Sequence, residues 1–306
     1  MTVAEDLAAL DAAHRQRQAA NAQSVAQAVL AYWLAVDSAN IKGTGGEWLE
    51  RSTELIVRGR AKSTDLATAY AKAVRQTRIP GDLPPLRVEP VNVDQIRSSL
   101  TFTGLANAAI KTRNARRVAS LSDAEAQRQV SYSIAEIFRR ERQQVRETGG
   151  DRAERALVQR ALELTIRRAM EDAGSAAAAA AVRHVQNGGR SITDGLVKTD
   201  ARVVGYVRVT RPGCCYFCAM LASRGPVFKG DSFAQSDPRF DGEGAHKVHD
   251  SCGCTLRPVY SRDPFEWPDL SREFEDLWDR VARGKSPKEA IRAFRRAYEG
   301  RSAAGK

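Results

Sequence analysis

The sequence predicts an α+β fold that is mostly α: an N-terminal helical arm and bundle, a small module of short strands, and two C-terminal helices. Three observations lead there. Apolar residues recur at helical spacing over much of residues 1–200, and the period shortens to that of a strand at Val203, Val204, Tyr206, Val207 and Val209. All five cysteines of the 306 residues fall between Cys214 and Cys254, on either side of further strand-like pieces. After them, Ser271 and then Ser286-Pro287-Lys288-Glu289 mark the starts of two short amphipathic helices.

Taken in order, Thr2-Val3-Ala4-Glu5 reads as a capping box, in which hydroxyl and carboxylate satisfy amides left open at a helix start. Val25, Val29, Tyr32, Trp33 and Val36 share one face of the helix that follows. Gly43, Gly45 and Gly46 are expected to end it, and a second helix is predicted over 47–76. The stripe is core-forming. It is also longer than a small domain needs, so part of it, with Trp33 as an anchor, is expected to dock on a partner. His14 is assigned to the surface. Pro80, Pro84, Pro85 and Pro90, with Gly81, rule out a helix over 79–93 and define a connector, either a stiff arm or a surface loop.

Ser122-Asp123-Ala124-Glu125 is a second capping box, opening a helix with Val130, Ile134, Ile137 and Phe138 on one face and Gly149-Gly150 at its end. Asp151 begins a longer stretch whose alanines at 176–181 permit close helix approach, with a kink or break expected at Gly174-Ser175. Its end is placed at Asn187-Gly188-Gly189, with His184 nearby as an exposed cap or a core residue. Strand pieces follow at 226–229 and 255–260, separated by a Gly/Asp-rich loop over 230–247. Phe274, Leu277, Trp278 and Val281 form the first C-terminal helix, stopped by Gly284. Ile291, Phe294 and Tyr298 form the second, with Gly300 as its stop and a frayed basic tail beyond. The domain boundaries are thus 1–78, 79–93, 94–200, 201–262 and 263–306: helical region, connector, helical bundle, cysteine module, and C-terminal helices.

The cysteines are arranged as Cys215-x2-Cys218 and, after the loop, His249-x2-Cys252-x-Cys254. A C-x2-C turn brings two sulfurs to one ion without strain, and zinc in structural sites takes four thiolate or imidazole donors tetrahedrally. Cys215, Cys218, His249, Cys252 and Cys254 are the metal candidates, competing for four positions, with Cys214 the spare. A structural Zn²⁺ would clip strands too short to bury enough surface alone, since such sites contribute about 10–16 kcal/mol in small peptides. Buried thiols or a disulfide pair are the alternative. A disulfide framework needs an oxidising compartment, and residues 1–6 lack the basic start and apolar core of a signal peptide, so the chain is expected to stay in the cell that makes it.

These residues also carry a family resemblance. The order C-x2-C, Leu221, Gly225, Phe228, H-x2-C-x-C and Thr255-Leu256-Arg257-Pro258 resembles the zinc-knuckle end of phage Mu F-like (MuF) minor head proteins, over about 151–260. It departs from that pattern at Asp250-Ser251, Gly253 and the additional Cys214. The resemblance implies a structural minor capsid protein in few copies in the virion head, made in the host cytoplasm. Such a protein binds the portal or major capsid protein and acts in head assembly or DNA delivery.

Charge and chemistry restrict the alternatives. The formal charge of +11 favours an acidic partner or packaged DNA, although Arg and Glu alternate instead of forming basic blocks. The apolar run at 176–182 is too short to cross a bilayer, and no membrane role follows. A zinc deaminase needs a His/Cys-x-Glu upstream of its cysteines, and His184-Val185-Gln186 has glutamine in place of the acid. A nuclease would rest on Asp241, Glu243 and His246, a thin set. A capsid maturation protease would use Cys215 or Cys218 with His246 or His249, but a thiolate bound to metal is not a free nucleophile. The balance favours a structural zinc protein, with the protease or a zinc-containing nucleic-acid-processing enzyme as the alternative.

Overall fold

A computed structural model of the chain describes residues 2–86, 88, 90–120, 143, 151–228 and 249–304. The helix predicted from Ser122 with its stop at Gly149-Gly150, the loop over 230–247 and Lys229 lie outside the described residues, as do Asp241, Glu243 and His246. The described helices are α1 (Val3–Trp33), α2 (Ile41–Gln76), α3 (Val93–Leu100), α4 (Asn107–Ser120), α5 (Asp151–Thr199), α6 (Tyr216–Ala222), α7 (Asp269–Val281) and α8 (Pro287–Ala304). A π-helical segment, Thr101–Ala106, joins α3 to α4, and a 3-10 turn, Pro264–Glu266, precedes α7. The strands are β1 (Gly205–Val209), β2 (Val227–Phe228) and β3 (Thr255–Val259). The mostly helical α+β architecture, with short strands and two C-terminal helices, is the one the sequence predicts.

The chain divides into two compact units. The first comprises 1–25, 56–92 and 182–306, and the second 26–55 and 93–181.

In the first unit β1 is the central strand, antiparallel to both β2 and β3 in the order β2-β1-β3. Tyr206 pairs with Val227 on one side and with Pro258 on the other. All five residues of β1 and of β3 are buried. The end of α5 lies against this sheet, with Thr193 Oγ1 donating to the Leu256 carbonyl at 3.2 Å, and Ile192 and Leu196 packing with Val203. Met220 and Leu221 of α6 pack with Phe274 and Leu277 of α7 and with Phe294 and Tyr298 of α8. The capping box at the start of α1 forms as expected: the Thr2 amide donates to Glu5 Oε2 at 2.7 Å and the Glu5 amide to Thr2 Oγ1 at 3.3 Å.

The second unit is built around two tryptophans. Trp33 and Trp48 meet edge to face at 4.8 Å, and each indole N–H donates to a carbonyl, Met170 for Trp33 at 2.8 Å and Val29 for Trp48 at 3.2 Å. Val29, Trp33 and Val36 are buried, so this part of the α1 stripe is filled within the chain and Trp33 is no exposed anchor.

Four expectations are corrected. Gly43, Gly45 and Gly46 lie inside the first turns of α2 and do not end α1. The break sits at 34–40, where Asp37 Oδ1 accepts from the Ala39 amide at 2.8 Å and Asn40 Oδ1 from the Gly43 amide at 3.1 Å; these Asx contacts compete with helical pairing. Next, α5 runs unbroken through Gly174 and through Gly188-Gly189. Those glycines serve close packing: a Cβ on Gly174 would fall 2.5 Å from Trp33, and one on Gly188 2.3 Å from the Arg60 carbonyl oxygen. His14 is buried, not exposed, stacked on Tyr70 with ring centroids 4.0 Å apart. Finally, α8 continues past Gly300 to Ala304.

Candidate metal centre

The site lies in the first unit, where α6 begins and β3 begins. Cys215 is the N-cap of α6, in extended backbone, and its Sγ accepts from the Cys218 amide at 3.3 Å. The C-x2-C spacing thereby places Cys218 in the first turn with its sulfur beside that of Cys215. On the other side, the Cys252 amide donates to the His249 carbonyl at 3.2 Å, closing a turn in which Ser251 takes φ +61°. Arg183 of α5 holds this turn, its Nε donating to Asp250 Oδ1 at 2.7 Å.

The structure brings all five candidate donors together. Cys215 Sγ lies 2.8 Å from His249 Nε2, and Cys218 Sγ 3.9 Å from the same nitrogen. Cys218 Sγ is 3.3 Å from Cys252 Sγ, which is 3.0 Å from Cys254 Sγ. Two groups result, Cys215-Cys218-His249 and Cys218-Cys252-Cys254, with Cys218 common to both. Either could hold a metal ion. Cys214 lies outside both groups: its Sγ is 3.6 Å from the Tyr298 hydroxyl, which donates to the Cys214 carbonyl. All five cysteines are free thiols.

The thiols of these groups divide into two that are raised and two that are lowered: contact with Cys215 pushes Cys218 well up, and, against its contact with Cys218, Cys254 and burial push Cys252 up to about 11. The Cys215 thiol is held down at about 4 by its contact with Cys218, against burial and with help from His249. Contacts with Cys218 and Cys252 pull Cys254 well below a normal thiol, and the charges of Arg208 and Arg190 act in the same direction. His249 is raised, chiefly by Cys215. Its Nδ1 lies 2.6 Å from the Asp250 carbonyl, a contact that orients the ring with Nε2 toward the sulfurs.

The residues that sequence reasoning missed are Arg183, Arg190 and Arg208. Arg208 stands between Val207 and Val209, where strand alternation assigns it to solvent, yet it is buried in the central strand. Arg190 directly follows Gly188-Gly189, where the helix was expected to have ended.

The profile of the VG15 protein family matches residues 102–281. The chain belongs to this family. VG15 is a family of phage proteins, and its span here encloses both halves of the candidate metal centre. No curated protein and no solved structure matches the chain. No helix among the described residues is long and apolar enough to cross a membrane.

Proposed function

We propose that this VG15-family chain is a structural minor head protein of a tailed phage, MuF-like, associated with the portal or the major capsid protein, and that its cysteine cluster holds one structural Zn²⁺. The observation that carries the reading is the convergence of Cys215, Cys218, His249, Cys252 and Cys254 between α6 and β3. Soft thiolates with one imidazole suit zinc, and oxygen-preferring ions such as Mg²⁺ and Ca²⁺ do not favour such a set. A tetrahedral zinc at about 2.3 Å from its sulfurs separates them by roughly 3.8 Å. Of the donor separations here, the 3.9 Å between Cys218 and His249 is close to that value, and the other three, 2.8, 3.0 and 3.3 Å, are shorter, so the cluster would open slightly around an ion. When bound, the ion would supply cross-linking and no chemistry. Cys215 and Cys218 would tie α6 to the His249–Cys252 turn, and so close a three-stranded sheet whose edge strand β2 has only two residues. The basic charge suits an acidic partner surface or packaged DNA.

The test is incorporation. Heads assembled with the full chain should contain it in few copies and with its zinc, and Cys218→Ser should be depleted from them. Heads that never take up the chain would remove the minor-capsid assignment.

One observation favours a second reading. The 2.8 Å contact between Cys215 Sγ and His249 Nε2 is also that of a thiol nucleophile and its base, as a capsid maturation protease would need. In that case Cys215 reacts with iodoacetamide in the protein as isolated, and Cys215→Ala folds normally while leaving capsid precursors uncleaved. Under the structural reading, Cys215 is protected until a chelator is added.

A further inference from the structure

Among the described residues, the buried arginines are paired with carboxylates, with two exceptions. Arg75 meets Asp200 at 3.3 Å, Arg183 meets Asp250 at 2.7 Å and Arg257 meets Asp11 at 2.8 Å. Arg190 and Arg208 are only 2% and 3% exposed, yet among the described residues neither is paired with a carboxylate. Arg208 Nη1 instead donates to Cys254 Sγ at 2.6 Å. Arg190 Nη2 lies 3.9 Å from the same sulfur and donates to the carbonyls of Cys252 and Cys254 at 3.0 and 2.9 Å. Arg208 Nε and Nη2 and Arg190 Nε have no partner among the described residues.

A guanidinium does not give up its proton in a protein, and a buried charge without a counter-ion is strongly disfavoured. Among the described residues, the adjacent groups able to carry the opposite charge are the clustered thiols. A divalent ion with three thiolates and an imidazole keeps one net negative charge, and with four thiolates it keeps two. Either centre is stabilised by a buried cation beside it.

We propose that Arg190 and Arg208 are the built-in countercharge of the metal centre. They are positioning residues, not ligands: they act through Cys254 and its carbonyl neighbours, and they set the site to accept a thiolate-rich, net anionic complex. Arg208 carries the larger part, because its contact goes to the sulfur itself, while Arg190 also braces the Cys252–Cys254 backbone. This inference rests on the zinc reading above and names the residues that balance that site's charge.

The experiment is a zinc-buffered titration of the full chain, read as the free zinc concentration at half loading and, by circular dichroism, at half folding. Removing a partner of this kind typically weakens metal binding about 10–100-fold, so Arg208→Met should shift both midpoints upward by that factor. Arg208→Lys, which keeps the charge, should shift them less. A variant that fails to fold at low zinc remains readable, because binding to the folded state draws it back as zinc rises. Unchanged midpoints for Arg208→Met overturn the proposal. So do equal shifts for Met and Lys, or an Arg208→Met chain that neither loads nor folds at any zinc concentration, since these indicate a packing role. If the wild-type chain takes up no zinc, the metal reading itself fails.

Discussion

Arg257 Nη1 donates to Asp11 Oδ2 at 2.8 Å, a fully buried ion pair joining β3 to α1 across 246 positions of sequence. Asp11 also accepts from the Tyr70 hydroxyl, and Arg257 Nη2 donates to the Glu266 carbonyl. Breaking a buried pair by removing one partner leaves an uncompensated charge and costs about 3–5 kcal/mol. Asp11→Ala should therefore lower stability in urea by about that amount. The double change Asp11→Leu with Arg257→Met should recover much of the loss, which a simple loss of packing would not do.

Acid should weaken this first unit through its buried imidazoles. Burial, with Arg17 as the second cause, holds His14 down at about 4, and burial with Arg183 and Arg60 holds His184 at about 3. Both folded values lie below the usual 6.5, so their contribution is complete above pH 6.5 and is lost as pH falls toward 4. For His14 the loss is on the order of 3 kcal/mol by pH 4. Asp11, pushed up by burial against the pull of Arg257, acts in the opposite sense. The test is therefore a comparison of slopes: His14→Phe should keep the stack on Tyr70 and flatten stability between pH 6.5 and 4 relative to wild type.

Glycines in these helices should divide by what lies above them. A Cβ on Gly46 meets nothing within 4 Å, so Gly46→Ala should stabilise by about 0.5–1 kcal/mol. Gly188→Ala drives a methyl into the Arg60 carbonyl and should destabilise. Thermal melts of the two variants separate in sign.

Trp33→Ala should cost about 3–5 kcal/mol, the usual range for deleting a buried tryptophan. Its indole fills the space against Trp48 and donates to the Met170 carbonyl. Urea unfolding measures the change, and a near-neutral result would return Trp33 to the role of an exposed anchor.

Much of this was legible in the sequence, for reasons that particular residues make plain. Thr2 with Glu5, Ser286 with Glu289, and the alternation into Val209 are short-range patterns, and local chemistry formed the helix starts and the strand they indicate. The donor cluster was legible for the same reason, since C-x2-C and H-x2-C-x-C are each local turns. What the sequence concealed depended on distant partners. Gly188 looks like a helix end until Arg60 is known to cross it. His14 looks exposed until Tyr70 stacks on it, and Arg208 looks like a solvent-facing strand residue until Cys254 is found beside it.

The metal content of the purified full chain, with the thermal stability of Cys218→Ser beside it, tests the central claim most directly, because Cys218 belongs to both donor groups. The account predicts close to one zinc per wild-type chain, loss of that zinc in Cys218→Ser together with a large drop in melting temperature, and full zinc in Cys214→Ser. Less than half an equivalent in wild-type protein made with ample zinc, or a Cys218→Ser chain that melts with the wild type, would contradict it.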